Sequence, residues 1–238
     1  MLEIHDLVVL RDGRRVVDHL QLCVPAGSVY ALLGGNGAGK TTTIDAILGF
    51  VPSAAGMVRV DGLSPADDAV AVRRRVAYLP ENVALYPYLS GLENLDYFCA
   101  MAGIALSRTE AAALLDRAGL AREAQGRRVR GYSKGMRQKV GLAIAQARSA
   151  SLLLLDEPTS GLDPAAADDM ARRVRAAADA GMAVLMATHD LFNARQLADR
   201  IGILLAGVLV AEFDASALDH QALTAAYLAH ARAAGAAS

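Results

Sequence analysis

Apolar positions along the chain follow two periods, and the switches between them mark the elements. Val8, Val9 and Leu10, then Val16 and Val17, then the run Val29-Tyr-Ala-Leu-Leu33 predict strands across residues 2–33. The last run is unbroken and enters a glycine-rich turn, the pattern of a strand buried on both faces of a sheet. Ile44, Ile47, Leu48 and Val51 then recur at i, i+3, i+4 and i+7, which predicts a helix directly after the turn. Gly49 and Pro52 lie where that helix should end. Strand, loop and helix in this order open an α/β fold.

Near residue 85 the period becomes helical. Ser90-Gly-Leu-Glu93 and Ser107-Arg-Thr-Glu110 have the form of capping boxes, and Leu92, Leu95 and Cys99, then Ala111, Leu114, Leu115 and Ala118, follow them at helical spacing. Residues 83–147 are expected to form a helical insertion. Core elements then fill 1–82 and 148–215: strand 152–155, helix 164–180, strand 183–187, and a hairpin of residues 203–205 and 208–210 about Ala206-Gly207. The Ala-rich residues 216–238 predict a short helical tail that frays.

Composition narrows the function. Basic residues number 24 and acidic residues 25, a formal charge of −1, so the excess of Lys and Arg that drives nucleic-acid binding is missing. Mean hydropathy is +0.28, yet the longest apolar stretches, 152–155 and 201–211, fall far short of the ~20 residues of a membrane-spanning helix. The N-terminus has no basic region followed by an apolar run, so no secretory leader is expected. Cys23 and Cys99 stand apart, without metal-ligand spacing.

Two motifs carry chemistry. Gly34, Gly35, Asn36, Gly37, Ala38, Gly39, Lys40, Thr41 and Thr42 contain the pattern G-x-x-x-x-G-K-[ST]. Its glycines let successive backbone N–H groups turn inward around a phosphate. Lys40 adds a point charge across the β- and γ-phosphates, and the Thr41 hydroxyl is suited to Mg²⁺. The run Leu152-Leu-Leu-Leu155 ends in Asp156 and Glu157. Asp156 is expected to hold Mg²⁺ through water, and Glu157 to polarise the attacking water as general base.

Between these lies Tyr132-Ser133-Lys134-Gly135-Met136, at the start of a helix with apolar Val140, Ala143, Ile144 and Ala147. Ser133 reads as an N-cap, but Ser133 and Gly135 also present a hydroxyl and free N–H groups, an anion site with no phosphate of its own nearby in sequence. This stretch resembles the signature motif of ABC ATPases. With the phosphate loop, Asp156-Glu157, the D-loop-like Ser160-Gly-Leu-Asp163 and Thr188-His189 in the same order, the resemblance covers roughly residues 2–213.

The resemblance implies an ABC ATPase core with a mostly parallel sheet, an N-terminal antiparallel β region and an inserted helical subdomain. It implies hydrolysis of ATP with Mg²⁺ and a homodimer clamping two ATP molecules. The signature residues Ser133, Lys134, Gly135 and Met136 then contact the nucleotide of the opposite subunit, and His189 the γ-phosphate and attacking water. Integral membrane permease subunits are the implied partners, with the chain peripheral on the cytoplasmic face of a bacterial inner membrane.

Three positions depart from the family pattern. Gly35 replaces a proline. Residues 10–13 lack the aromatic that stacks on adenine, leaving the Arg11 guanidinium plane as a substitute. Glu81 replaces a glutamine and is expected as a third metal ligand with Thr41 and Asp156. Residues 78–91 and 132–139 are similar to the ATPase of the system that matures the copper centre of nitrous oxide reductase, which implies a periplasmic accessory or binding protein as well. A general ABC-2 type exporter ATPase is the alternative. A DNA-repair ABC ATPase would need a long coiled coil before the signature, and an inactive cassette would lack the set Lys40, Asp156, Glu157 and His189.

Overall fold

A computed structural model describes residues 1–236. Two sheets form the core. Strands β1 (Leu2–Arg11), β2 (Arg14–Val24) and β4 (Ala55–Val60) make an antiparallel sheet in the order β2-β1-β4. The larger sheet runs β5-β6-β7-β3-β8-β9, formed by β3 (Val29–Leu33), β5 (Val76–Leu79), β6 (Leu152–Asp156), β7 (Ala183–Thr188), β8 (Arg200–Leu205) and β9 (Val208–Asp214). Its first five strands are parallel and β9 pairs antiparallel to β8.

Every residue of β3, β6 and β7 is buried, which accounts for their unbroken apolar runs. The two-residue period sorts them. Ala31, Leu33, Leu153, Leu155, Val184 and Met186 face one apolar cluster, shared with the inserted helices. Tyr30, Leu32, Leu152, Leu154, Ala183 and Leu185 face the other, against helix α1 (Lys40–Ile47) and the antiparallel sheet.

Between β5 and β6 lie α3 (Gly91–Met101), α4 (Arg108–Arg117), the short α5 (Arg122–Gln125) and α6 (Lys134–Ala147). Both capping boxes form: Ser90 and Ser107 accept from the backbone N–H groups of Glu93 and Glu110, whose carboxylates reach back to the serine N–H groups. Helix α7 (Pro164–Asp179) links β6 to β7, and α8 (Leu191–Leu197) links β7 to β8. The hairpin between β8 and β9 turns at Ala206 and Gly207, both with positive φ, as a two-residue primed turn requires.

Strand β4 and helix α8 had no counterpart in the sequence expectation, and two further elements differ from it. Helix α2 (Pro65–Arg75) was not legible, because it buries one residue, Val72, and so leaves no apolar stripe. The tail is not short: α9 spans His220–Ala236 and docks through the fully buried Leu223 beside α8. Residues 237 and 238 of the expected tail lie outside the described residues.

Candidate nucleotide site

The parallel strands set the site. β6, β7 and β3 are neighbours, so their carboxyl ends deliver Glu157, His189 and the phosphate loop to one edge of the sheet, where α/β folds bind ligands. Gly39 sits at φ 107° as the residue before α1, and a Cβ there would lie 2.6 Å from the Val16 carbonyl oxygen. Only glycine fits that position. Helix α1 has no side-chain cap and no acidic residue in its first turn, so its N-terminal N–H groups stay available to an anion.

A cleft of about 250 Å³ is lined by Val16, residues 35–42, Glu81, Asp156 and Glu157. Lys40 is buried beside it, donating from Nζ to the carbonyls of Gly34 (2.6 Å) and Gly35 (3.1 Å), with Glu157 Oε1 at 3.5 Å. The Thr41 hydroxyl donates to Asp156 Oδ2 at 3.1 Å. Burial raises the Asp156 carboxyl above its ordinary range. The Thr41 hydrogen bond opposes this, while the charges of Glu157 and Glu81 reinforce it.

Glu157 has φ +48°, a left-handed backbone unusual for a residue with a side chain and common at sites where geometry is over-determined. Its carboxylate is held on both oxygens. Oε1 lies 2.9 Å from His189 Nδ1, and Oε2 accepts from the Thr188 hydroxyl (3.2 Å) and the His189 backbone N–H (3.3 Å). Thr188, fully buried, was quoted in the sequence only beside His189 and given no role of its own. It had one legible signal, its place as the last residue of a buried strand before His189.

The remaining sequence candidates are not all in the cleft. Ser133 caps α6 by accepting from the Met136 N–H at 3.3 Å, and Asp163 caps α7 by accepting from the Ala166 N–H at 2.9 Å. Gly135 packs toward Leu162, which a Cβ would meet at 3.5 Å. Glu81 lines the cleft, but its Oε1 accepts from Lys134 Nζ at 3.3 Å and from Ser160 Oγ at 3.2 Å. Arg11 does not stack freely, because its Nη2 is 2.8 Å from Asp45 Oδ2. Gly35 faces the Tyr227 hydroxyl, which an added Cβ would meet at 3.6 Å, so the absence of proline there is not forced by crowding.

These donors suit a magnesium nucleotide. Thr41 and Asp156 offer hard oxygens a hydrogen bond apart, below a helix N-terminus open to phosphate. Among the described residues no three His, Cys, Asp or Glu side chains cluster to hold a metal ion by themselves.

Residues 17–160 match the family model for the ABC transporter. The chain belongs to the ABC transporter family. Within that family it matches ATP-binding proteins and subunits. It is 40% identical over 213 residues to the daunorubicin/doxorubicin resistance ATP-binding protein DrrA of Streptomyces peucetius, covering 89% of this cassette but only 64% of that protein. It is 33% identical to the lantibiotic transport ATP-binding protein SrtF of Streptococcus pyogenes, over 91% of this chain and 93% of that one. Among solved structures it matches an ATP-binding subunit of an ABC transporter with TM-score 0.79 and 32% identity, over 90% of both chains. A dimeric ATP-binding cassette bound to ADP and Pi shares its fold, with TM-score 0.80 at 23% identity over 90% of this chain and 99% of that one. Among the described residues no helix of the cassette is long and apolar enough to cross a membrane.

Proposed function

We propose that this cassette is the ATPase of an ABC-2 type exporter, working on the cytoplasmic face of a membrane as a pair of copies that clamp two ATP molecules and drive permease subunits. One observation carries the catalytic part: the Glu157 carboxylate is held between His189, Thr188 and Lys40 at the mouth of the phosphate loop. In this reading Glu157 accepts the proton of the attacking water, and His189 orients that water and the γ-phosphate. Residues 34–42 wrap the phosphates, with Lys40 exchanging its loop carbonyls for phosphate oxygens. Thr41 and Asp156 hold Mg²⁺, which when bound neutralises charge on the β- and γ-oxygens.

Residues 83–147 act as a helical subdomain that carries Ser133, Lys134, Gly135 and Met136 to the partner's nucleotide, with Asp163 in the adjoining loop. The exposed Tyr86, Tyr88 and Tyr97 near the start of this subdomain, where Tyr86 and Tyr97 pack edge to face at 4.8 Å, supply an apolar surface for a permease helix. The resistance and transport names of the relatives support export. A narrower reading, nitrous oxide reductase maturation with a periplasmic accessory protein, is favoured by residues 78–91 and 132–139 and by nothing else in the chain. Deleting the gene and measuring the copper content of that reductase separates the two, since an exporter ATPase leaves it unchanged.

The clamped pair is tested with Glu157→Gln. This variant should bind ATP, lose turnover by about 10²-fold or more, and elute as a dimer in Mg-ATP. A monomer with ATP demonstrably bound contradicts the proposal.

A further inference from the structure

Lys134 opens α6, where its positive charge meets the positive end of the helix dipole, and the first turn of α6 holds no acidic residue to offset it. The ion pair that compensates comes from 53 positions away: Glu81 Oε1, at 3.3 Å. Among the described residues Lys134 has no other ion-pair partner. The same Glu81 oxygen accepts from Ser160 Oγ at 3.2 Å, and a Cβ added to Gly161 would meet Lys134 Nζ at 3.8 Å. Glu81 also forms part of the cleft wall with Asp156 and Glu157. One carboxylate thus joins the nucleotide cleft, the loop after β6 and the signature segment of a single subunit.

We propose that Glu81 is an internal stand-in for phosphate: it holds Lys134 in the lone subunit, and on clamping Lys134 exchanges Glu81 for the phosphate bound by the partner copy. This deepens the clamped-pair reading and rests on it. The chemistry of the exchange is like for like, an oxyanion for an oxyanion on one ammonium group. The pair is partly exposed, with side-chain accessibilities of 27% for Lys134 and 44% for Glu81, so breaking it is cheap enough for nucleotide to reverse. The carboxylate released from Lys134 stays beside the cleft. ATP-driven pairing is therefore held back until the phosphate outcompetes Glu81, which guards against pairing of empty subunits.

The test uses the full chain carrying Glu157→Gln, in saturating Mg-ATP, with the dimer dissociation constant measured by analytical ultracentrifugation. Four versions are compared: no further change, Glu81→Gln, Lys134→Met, and both. Binding of a fluorescent ATP analogue at low subunit concentration confirms that each is folded and loaded. Because each dimer breaks two pairs, about threefold per pair should make Glu81→Gln dimerise about tenfold more tightly. Lys134→Met should dimerise more weakly, and adding Glu81→Gln to it should change nothing further. Equal tightening by Glu81→Gln with and without Lys134 would overturn the exchange, placing the effect of Glu81 on its own nucleotide. So would no effect of Glu81→Gln alone. If the reference protein stays monomeric with ATP bound, the clamped-pair reading itself fails and the exchange falls with it.

Discussion

His189 Nδ1 lies 2.9 Å from Glu157 Oε1, while the backbone N–H of the same histidine reaches Oε2 at 3.3 Å. Two donors from one residue therefore fix both oxygens of the carboxylate that we assign as base. The imidazole proton must sit on Nδ1 for the first contact, which leaves Nε2 for the nucleotide and water. Removing the ring in His189→Ala should lower ATP turnover by about 10²-fold with little change in ATP affinity, checked by steady-state ATPase assays beside equilibrium binding. A loss of affinity equal to the loss of turnover would place His189 in ground-state binding instead.

Thr188 acts on the same carboxylate from below, donating its hydroxyl to Oε2 at 3.2 Å while its oxygen accepts from the Asp190 N–H at 3.0 Å. Thr188→Val keeps the shape and removes both interactions. We expect kcat to fall about tenfold, or about 1.4 kcal/mol of barrier, with KM for ATP nearly unchanged. An unchanged kcat would show that His189 alone orients Glu157.

The nucleotide cleft has no aromatic side chain in its lining, and Arg11 is engaged with Asp45. Stacking on an aromatic contributes about 1–3 kcal/mol per base where tested, so its absence should leave base selectivity weak. GTP should compete with ATP within about tenfold in a displacement assay. A hundredfold preference for ATP would mean that another group supplies the platform.

Asp169 of α7 ties the signature helix to the core, taking Lys139 Nζ of α6 at 2.8 Å and Arg173 Nη2 at 2.8 Å. Burial pushes its carboxyl up, but hydrogen bonds from Lys139 and Arg173 and their charges outweigh this and hold it below the ordinary range. A depressed carboxyl adds stability above the unfolded value, near pH 3.9, that is lost as pH falls through the folded value. Asp169→Asn should cost about 1–2 kcal/mol at pH 7, discounted for the partial exposure of the cluster. The gap to the wild type in urea unfolding should narrow only below about pH 4. A constant gap from pH 7 to pH 3 would show that the loss is one of packing.

Much of this was legible in the sequence because single strands announced themselves. β3, β6 and β7 are fully buried, so their apolar runs survive without any knowledge of neighbours. The capping boxes at Ser90 and Ser107 are local in the same sense. α2 was hidden because helices on the surface leave weak stripes, and α9 because the burial of Leu223 depends on α8. In the site, Lys40, Asp156 and Glu157 were legible from motif spacing. The pairing of Glu81 with Lys134 joins a loop and a helix start that no local period connects, and it gives the expected metal ligand a partner in the signature segment.

The central claim is that each ATP site is built from the phosphate loop of one copy and the signature of the other. It is tested most directly by mixing two inactive variants, Lys40→Met, whose signature is intact, and Gly135→Asp, whose phosphate loop is intact. A Cβ at Gly135 meets nothing closer than 3.5 Å, so the backbone there accepts a side chain, and the aspartate adds a negative charge. If sites are shared, an equimolar mixture regains about a quarter of wild-type ATPase activity, because half the pairs are mixed and each mixed pair has one whole site. Activity in the mixture no greater than the sum of the two separate variants would contradict the account.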